Sequence, residues 1–287
     1  MRPRVSLAAL VLFVALPMTP APTATPAATR AQAALPNLFF AFDNGVGRGT
    51  WTPKQQAETL KALGYAGIGY TGTADLPERV KAFGSQGLAI VSLYVPCRPG
   101  TRDRCPPRLE ETLKRLEGTR TLLWLTVSGK TNDDEAATAV REIADKAGKY
   151  GVKVALYPHY GFHVATTADA LRLVKKVGRK NVGVSINLCH ELRSGNGAKL
   201  GEIVKSAAAK LLLVSINGAD PAGGWNRLIQ PLGQGAFDVR GFLATLHQAG
   251  YTGPIGLQCY NVRGDPRENL KKSMEAWKTL RRSAAGK

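Results

Sequence analysis

From Leu35 onward two residue patterns alternate. Short runs of almost unbroken apolar character come first: NLFFAFD, AGIGY, LAIVSLYV, TLLWLTV, VKVALY, VGVSIN, LLLVSIN and PIGLQCY. Their continuity is what a strand needs when both of its faces are covered. Between them lie stretches with apolar residues at three- and four-residue spacing, the signature of amphipathic helices: TPKQQAETLKALG, LPERVKAFGSQG, LEETLKRLEG, DDEAATAVREIADKAGKYG, TADALRLVKKVG, KLGEIVKSAAAK, DVRGFLATLHQAG and DPRENLKKSMEAWKTLRR. Local signals agree. Thr52, Pro53 and Gln55 supply an N-cap, a first-turn proline and a capping-box partner, and Gly64, Gly118, Gly178 and Gly250 close helices. Eight strand–helix alternations in roughly 250 residues predict a single (β/α)8 TIM barrel. A doubly wound open sheet fits less well, because its strands are usually fewer and its Gly-rich phosphate turn is missing here.

The first residues follow neither pattern. Arg2 and Arg4 precede an apolar run from Val5 to Met18, a Pro/Ala/Thr-rich stretch follows, and Ala31-Gln32-Ala33 has the small-x-small form of a cleavage site. Residues 1–33 therefore read as a signal peptide and residues 34–287 as the barrel, exported to the periplasm or beyond, with no membrane segment in the mature form. A retained N-terminal anchor is the other reading of this run.

Composition adds charge. The chain carries a formal net charge of +18. The basic residues are spread over helix faces, with no basic run interleaved with aromatics, so nucleic acid is not the expected partner and anionic surroundings are. There are four cysteines. Cys97 and Cys105 bracket a Pro/Gly/Arg loop, CRPGTRDRC, whose spacing suits a disulfide in an exported protein. Cys189 and Cys259 lie beside strand ends, and buried hydrophobes, a second bridge and thiol ligands all stay open for them.

In a barrel the chemistry sits at the C-terminal strand ends. Those ends offer Asp43 and Asn44 on strand one, Tyr94 on three, Ser128 and Lys130 on four, and Tyr157, His159 and His163 on five. Strand six offers Asn187, His190 and Glu191; seven offers Asn217, Asp220, Trp225 and Arg227; eight offers Gln258, Tyr260 and Asn261. Three of the four histidines fall in this set, and only His247 lies mid-helix.

The order and wording of these ends resemble the xylose-isomerase-like barrels, the sugar and sugar-phosphate isomerase/epimerase superfamily. The resemblance spans the mature chain and is clearest in VALYPHYG, VGVSINLCH and PIGLQCY, with PLGQGAFDV similar to the family's turn before its seventh helix. It implies a divalent metal held by Glu, Asp, His and Glu from strands five to eight, and two Glu that move protons. Carried over, those positions are Tyr157, Asn187, Ser215 or Asn217, and Gln258, with His159 and His190 at the family's other histidines. Every carboxylate is replaced by a neutral group. Hard cations are held by charge, and an amide is no base near neutral pH. The site is thus expected to bind Mg²⁺ or Mn²⁺ weakly or not at all, with Zn²⁺ on His159 and His190 as the remaining metal option.

What is left suits a polyhydroxylated small molecule. Amides and imidazoles bond hydroxyls, and Tyr94, Tyr157, Tyr160, Trp225 and Tyr260 offer flat apolar faces. The expected function is that of a sugar isomerase or epimerase with His159 and His190 as acid and base, oriented by Asp43, Glu191 or Asp220, and with Lys130 or Arg227 at a developing enolate oxygen. Asn187, Asn217, Gln258, Trp225 and Tyr260 complete the expected carbohydrate site. The alternative is a carbohydrate-binding barrel that has lost the family's chemistry. Phosphodiester chemistry would need a carboxylate-rich metal cluster that these strand ends do not carry.

Overall fold

Eight parallel strands pair in chain order, and the last closes on the first through Phe39–Ile255, Phe40–Gly256 and Ala41–Leu257. The computed structural model describes residues 34–101 and 104–285. The expected signal peptide, residues 1–33, lies outside them. The strands are β1 Phe39–Phe42, β2 Gly67–Thr71, β3 Ala89–Cys97, β4 Leu122–Val127, β5 Val154–Leu156, β6 Val182–Asn187, β7 Leu211–Ile216 and β8 Ile255–Leu257. The expected single (β/α)8 barrel is the fold observed.

The helices are α1 Pro53–Leu63, α2 Leu76–Ser85, α3 Leu109–Leu116, α4 Asp133–Lys149, α5 Thr167–Val177, α6 Leu188–Arg193, α7 Leu200–Ala207, α8 Trp225–Leu228, α9 Val239–Gln248 and α10 Pro266–Ala284. The Thr52–Gln55 capping box forms as read. Helices α6 and α8 were not foreseen. Each is a short rim element directly after β6 or between β7 and α9, too brief to show a period of 3.6. None of the described helices is long and apolar enough to cross a membrane.

Two apolar layers result. One lies between strands and helices and holds Leu60, Phe83, Leu113, Ile143, Leu173, Leu243 and Trp277. The other fills the barrel and holds Phe40, Phe42, Leu122, Trp124, Ala155, Tyr157 and Leu213. Glycine makes room for the two phenylalanines: a Cβ on Gly69 or Gly256 would meet the Phe42 ring at 2.7 or 2.5 Å. Thus β2 and β8 give up side-chain volume so that β1 can fill the interior.

Cys97 and Cys105, the expected disulfide pair, are free thiols in this structure. Cys97, the last residue of β3, is fully buried and belongs to the strand–helix core, and half-buried Cys105 packs against that core from the loop. Burial pushes the Cys97 thiol up to about 12.

Candidate functional site

A cavity of about 420 Å³ opens at the C-terminal strand ends. Its floor is aromatic. Trp124 of β4 stacks on Tyr157, just past β5, with ring centroids 3.7 Å apart and planes 8° apart, and Phe42 of β1 stacks on Trp124 at 4.5 Å. Tyr94 of β3 meets Tyr157 edge-on at 5.6 Å. Trp124 Nε1 donates to Ser185 Oγ at 2.8 Å, which fixes the indole across the barrel. Strand alternation places these rings: Leu122 and Trp124 point inward from β4, and Leu123 and Leu125 point outward.

His190, on α6, is locked above that floor. The Tyr160 amide donates to His190 Nδ1 at 3.1 Å, so Nδ1 bears no proton and the neutral ring carries it on Nε2. Nε2 then donates to the Tyr157 hydroxyl at 3.2 Å. Burial, with His159 adding a smaller effect, drives the His190 pKa down to about 3. The ring is neutral near pH 7 with both nitrogens engaged. As a general acid or base, the role expected of it, His190 would first have to break one of these bonds.

His159 differs. Its Nδ1 donates to the Tyr160 carbonyl at 3.1 Å, which leaves the Nε2 lone pair unshared by that bond. The ring stacks on Phe162 at 4.1 Å and lies 4.2 Å from His190, centroid to centroid. Burial lowers its pKa, so it too is a neutral base at pH 7.

The amide oxygens of Gln258 and Asn187 are already engaged. Gln258 Oε1 accepts from Asn44 Nδ2 and from the Cys259 and Tyr260 amides, the latter two at 3.1 Å. This ties the end of β8 to the end of β1. Asn187 is fully buried; its Oδ1 accepts from Ser215 Oγ at 3.3 Å and Cys189 Sγ at 3.2 Å. Its Nδ2 lies near the Tyr157 hydroxyl but in no well-formed hydrogen bond. Across the mouth, Asp43 accepts from Arg48, from the Thr71 amide at 3.1 Å and from Thr71 Oγ1 at 3.0 Å. Arg48 and Asp43 both line the cavity.

The cavity thus gathers Asp43, His159, His190, Trp225, Gln258 and Tyr260. Asn187 lies beneath it. The structure leaves five expected candidates outside the lining. Asn217 is buried, with Nδ2 bonded to the Gly218 and Leu228 carbonyls at 2.7 Å, and so holds the chain after β7. Arg227 points to solvent and pairs with Asp220 at 2.9 Å. Lys130 is exposed on the loop after β4 and does not line the cavity. His163 pairs with Asp133 at 2.9 Å, away from the lining. Glu191 is spent on Thr167 and Asn196, which stitches α6 to the start of α5. Sequence reasoning missed Arg48, Tyr70 and Thr71. Arg48 follows Asp43 by five positions in DNGVGR, and AGIGYT ends on polar groups at a strand end, a signal that was present.

These donors do not fit a divalent cation. His190 has no free lone pair, the Gln258 oxygen already accepts three bonds and the Asn187 oxygen two, and Asp43 is neutralised by Arg48. Among the described residues no group of three or more His, Cys, Asp or Glu is placed to hold a metal.

The profile of one family matches residues 108–280, more than half of the chain. The chain belongs to the xylose isomerase-like TIM barrels. It is 28% identical over 239 residues to the 3-dehydroshikimate dehydratase of Pseudomonas aeruginosa, which covers 73% of this chain and 36% of that protein. It is 27% identical over 158 residues to the uncharacterized protein MJ1311 of Methanocaldococcus jannaschii, 53% of each. The chain therefore spans about half, or less, of the length of these relatives. Among solved structures, 3-keto-D-glucoside 4-epimerase YcjR from E. coli superposes with a TM-score of 0.69 at 16% identity, covering 85% of this chain and 99% of that one. D-allulose 3-epimerase from Methylomonas sp., in complex with D-allulose, superposes at 0.67 with 18% identity, covering 87% and 98%. At these identities the likeness is one of fold.

Proposed function

We propose that the barrel mouth takes a carbohydrate without a divalent metal and performs isomerase- or epimerase-type proton transfer on it, with His159 as the base. The observation that supports this reading is the pairing of an aromatic floor with a single imidazole nitrogen not consumed by the surrounding bonds. The stacked Phe42, Trp124 and Tyr157 give the C–H face of a sugar ring an apolar support, while the amides and Tyr260 at the rim meet hydroxyls. His159 Nε2 would accept a proton from a carbon beside a carbonyl. The electron pair then moves to the carbonyl oxygen, and the proton returns to carbon or oxygen to complete the shift. Arg48, on the opposite wall, is the cationic group available to that oxygen. His190 acts by neutral hydrogen bonding and positions Tyr157 and the loop that bears His159.

A second reading, a binding barrel without turnover, is favoured by the neutral Tyr157 and Gln258 at the two positions where the resemblance places proton-moving Glu, and by the locked His190. Solvent deuterium wash-in on aldoses, ketoses and 3-keto sugars separates the two. Exchange in the wild type that falls at least a hundredfold in His159→Gln, with sugar binding retained, supports catalysis. Binding with no exchange supports the second reading, and no binding of any sugar overturns both. Export also remains part of the proposal. It is supported by the apolar leader and the small-x-small site, and N-terminal sequencing of protein recovered from outside the cytoplasm should find a chain starting near Ala34.

A further inference from the structure

We infer that a second subsite lies outside the cavity, on the rim formed by Arg193, Tyr160 and Trp225, and that it takes a carboxylate-bearing sugar unit joined to the one in the cavity. The inference rests on the carbohydrate reading above and extends it to an acidic oligosaccharide. Trp225 is shared: it lines the cavity, meets the His190 ring edge-on at 5.2 Å, and is 37% exposed. Tyr160, 43% exposed, stands against its outer side at 6.2 Å with the ring planes 74° apart. Neither Tyr160 nor Arg193 lines the cavity, so the aromatic surface continues past the mouth.

Arg193 supplies the charge. Its guanidinium lies 5.3 Å from the Tyr160 ring and 5.7 Å from the Trp225 ring, and Nη1 donates to the Gly223 carbonyl at 3.0 Å. These contacts orient the planar fork before any ligand arrives. Three other exposed arginines, Arg108 at the N-cap of α3, Arg172 in the middle of α5 and Arg227 on α8, are neutralised by Glu111, Asp133 and Asp220. Arg193 forms no ion pair among the described residues, and the chain around it carries a net charge of +18. An oriented, unneutralised guanidinium beside two exposed rings matches a sugar unit with one apolar face and one anion. The planar fork can pair bidentately with a carboxylate, the anion an oxidised sugar unit carries.

Titration calorimetry with three probes tests this: a neutral glucosyl-glucose disaccharide, its glucuronosyl counterpart, and its 6-phosphate. The wild type should bind the glucuronosyl probe about fivefold more tightly than the neutral one, the size of an exposed charge pair. That ratio should shrink toward one at about 0.5 M salt and in Arg193→Gln. Equal binding of neutral and acidic probes, or a preference that survives Arg193→Gln, overturns the subsite and leaves the carbohydrate reading standing. A preference for the phosphate alone overturns the carboxylate assignment. No binding of any probe overturns the subsite together with the reading it rests on.

Discussion

Lowering the pH from 7 to 4 brings protons to a chain whose His190 is built to refuse one. In the unfolded chain this side chain titrates near the ordinary histidine value of about 6.5; in the barrel it titrates at about 3. The folded pKa is depressed, so the associated stability is fully present above the unfolded value and is lost as the pH falls toward the folded one. At pH 4 the unfolded chain is protonated at this site and the folded one is not. The gap of about 2.5 pH units, at about 1.4 kcal/mol each, removes about 3 kcal/mol. The groups that face His190 give it no counter-charge: Tyr157 just past β5, His159 and the Tyr160 amide from the loop that follows, and Trp225 from α8. The neighbouring carboxylate, Glu191, is turned away to Thr167 and Asn196. Urea denaturation at pH 7, 5.5 and 4 should show a steep loss of stability in the wild type and a loss about 3 kcal/mol smaller in His190→Gln, whose amide can keep both bonds without titrating. Equal pH slopes in the two proteins, or an NMR titration of His190 above about 5, would refute the reasoning and restore His190 as an acid–base candidate.

Three further outcomes follow from the same geometry. Trp124→Ala removes the middle ring of the floor and the bond to Ser185, and should cost about 3–5 kcal/mol, read as a fall of about 10 °C in thermal midpoint. Asn187→Asp with Gln258→Glu returns two charges to the mouth and should raise Mn²⁺ affinity at least tenfold by calorimetry, against less than a tenth of an equivalent of bound Mg or Mn in the purified wild type. Gly45→Ala would bring a Cβ to 2.3 Å from Cys259 Cβ, tight enough to cost about 1–3 kcal/mol in urea denaturation.

The barrel was legible because its evidence is redundant. A strand such as TLLWLTV can be apolar throughout only if both faces are covered, and eight such runs alternating with capped amphipathic helices leave few architectures. The site was legible in outline, because strand ends are where barrel chemistry lies, and Asp43, His159, His190, Trp225, Gln258 and Tyr260 do meet there. What one-dimensional reading lacks is direction. Arg227 and Lys130 stand in the right loops but face solvent, and Asn217 stands at the right strand end but is consumed by the backbone. Nor does a sequence report which lone pairs are already used. His159 and His190 are alike as letters, and only the Tyr160 backbone, which donates to one ring and accepts from the other, makes one a free base and the other a fixed donor.

The aromatic floor has a consequence for the substitutions open to this protein. Tyr157 stands where the resemblance assigns a carboxylate, yet it is also the ring that caps the Trp124 stack and the acceptor that holds His190 in its tautomer. Placing Glu there would strand a charge against an indole face, empty part of the interior and release His190 in one step. A carboxylate therefore cannot enter this position by one change without destabilising the barrel, so building a cation cage at this mouth needs concerted substitutions.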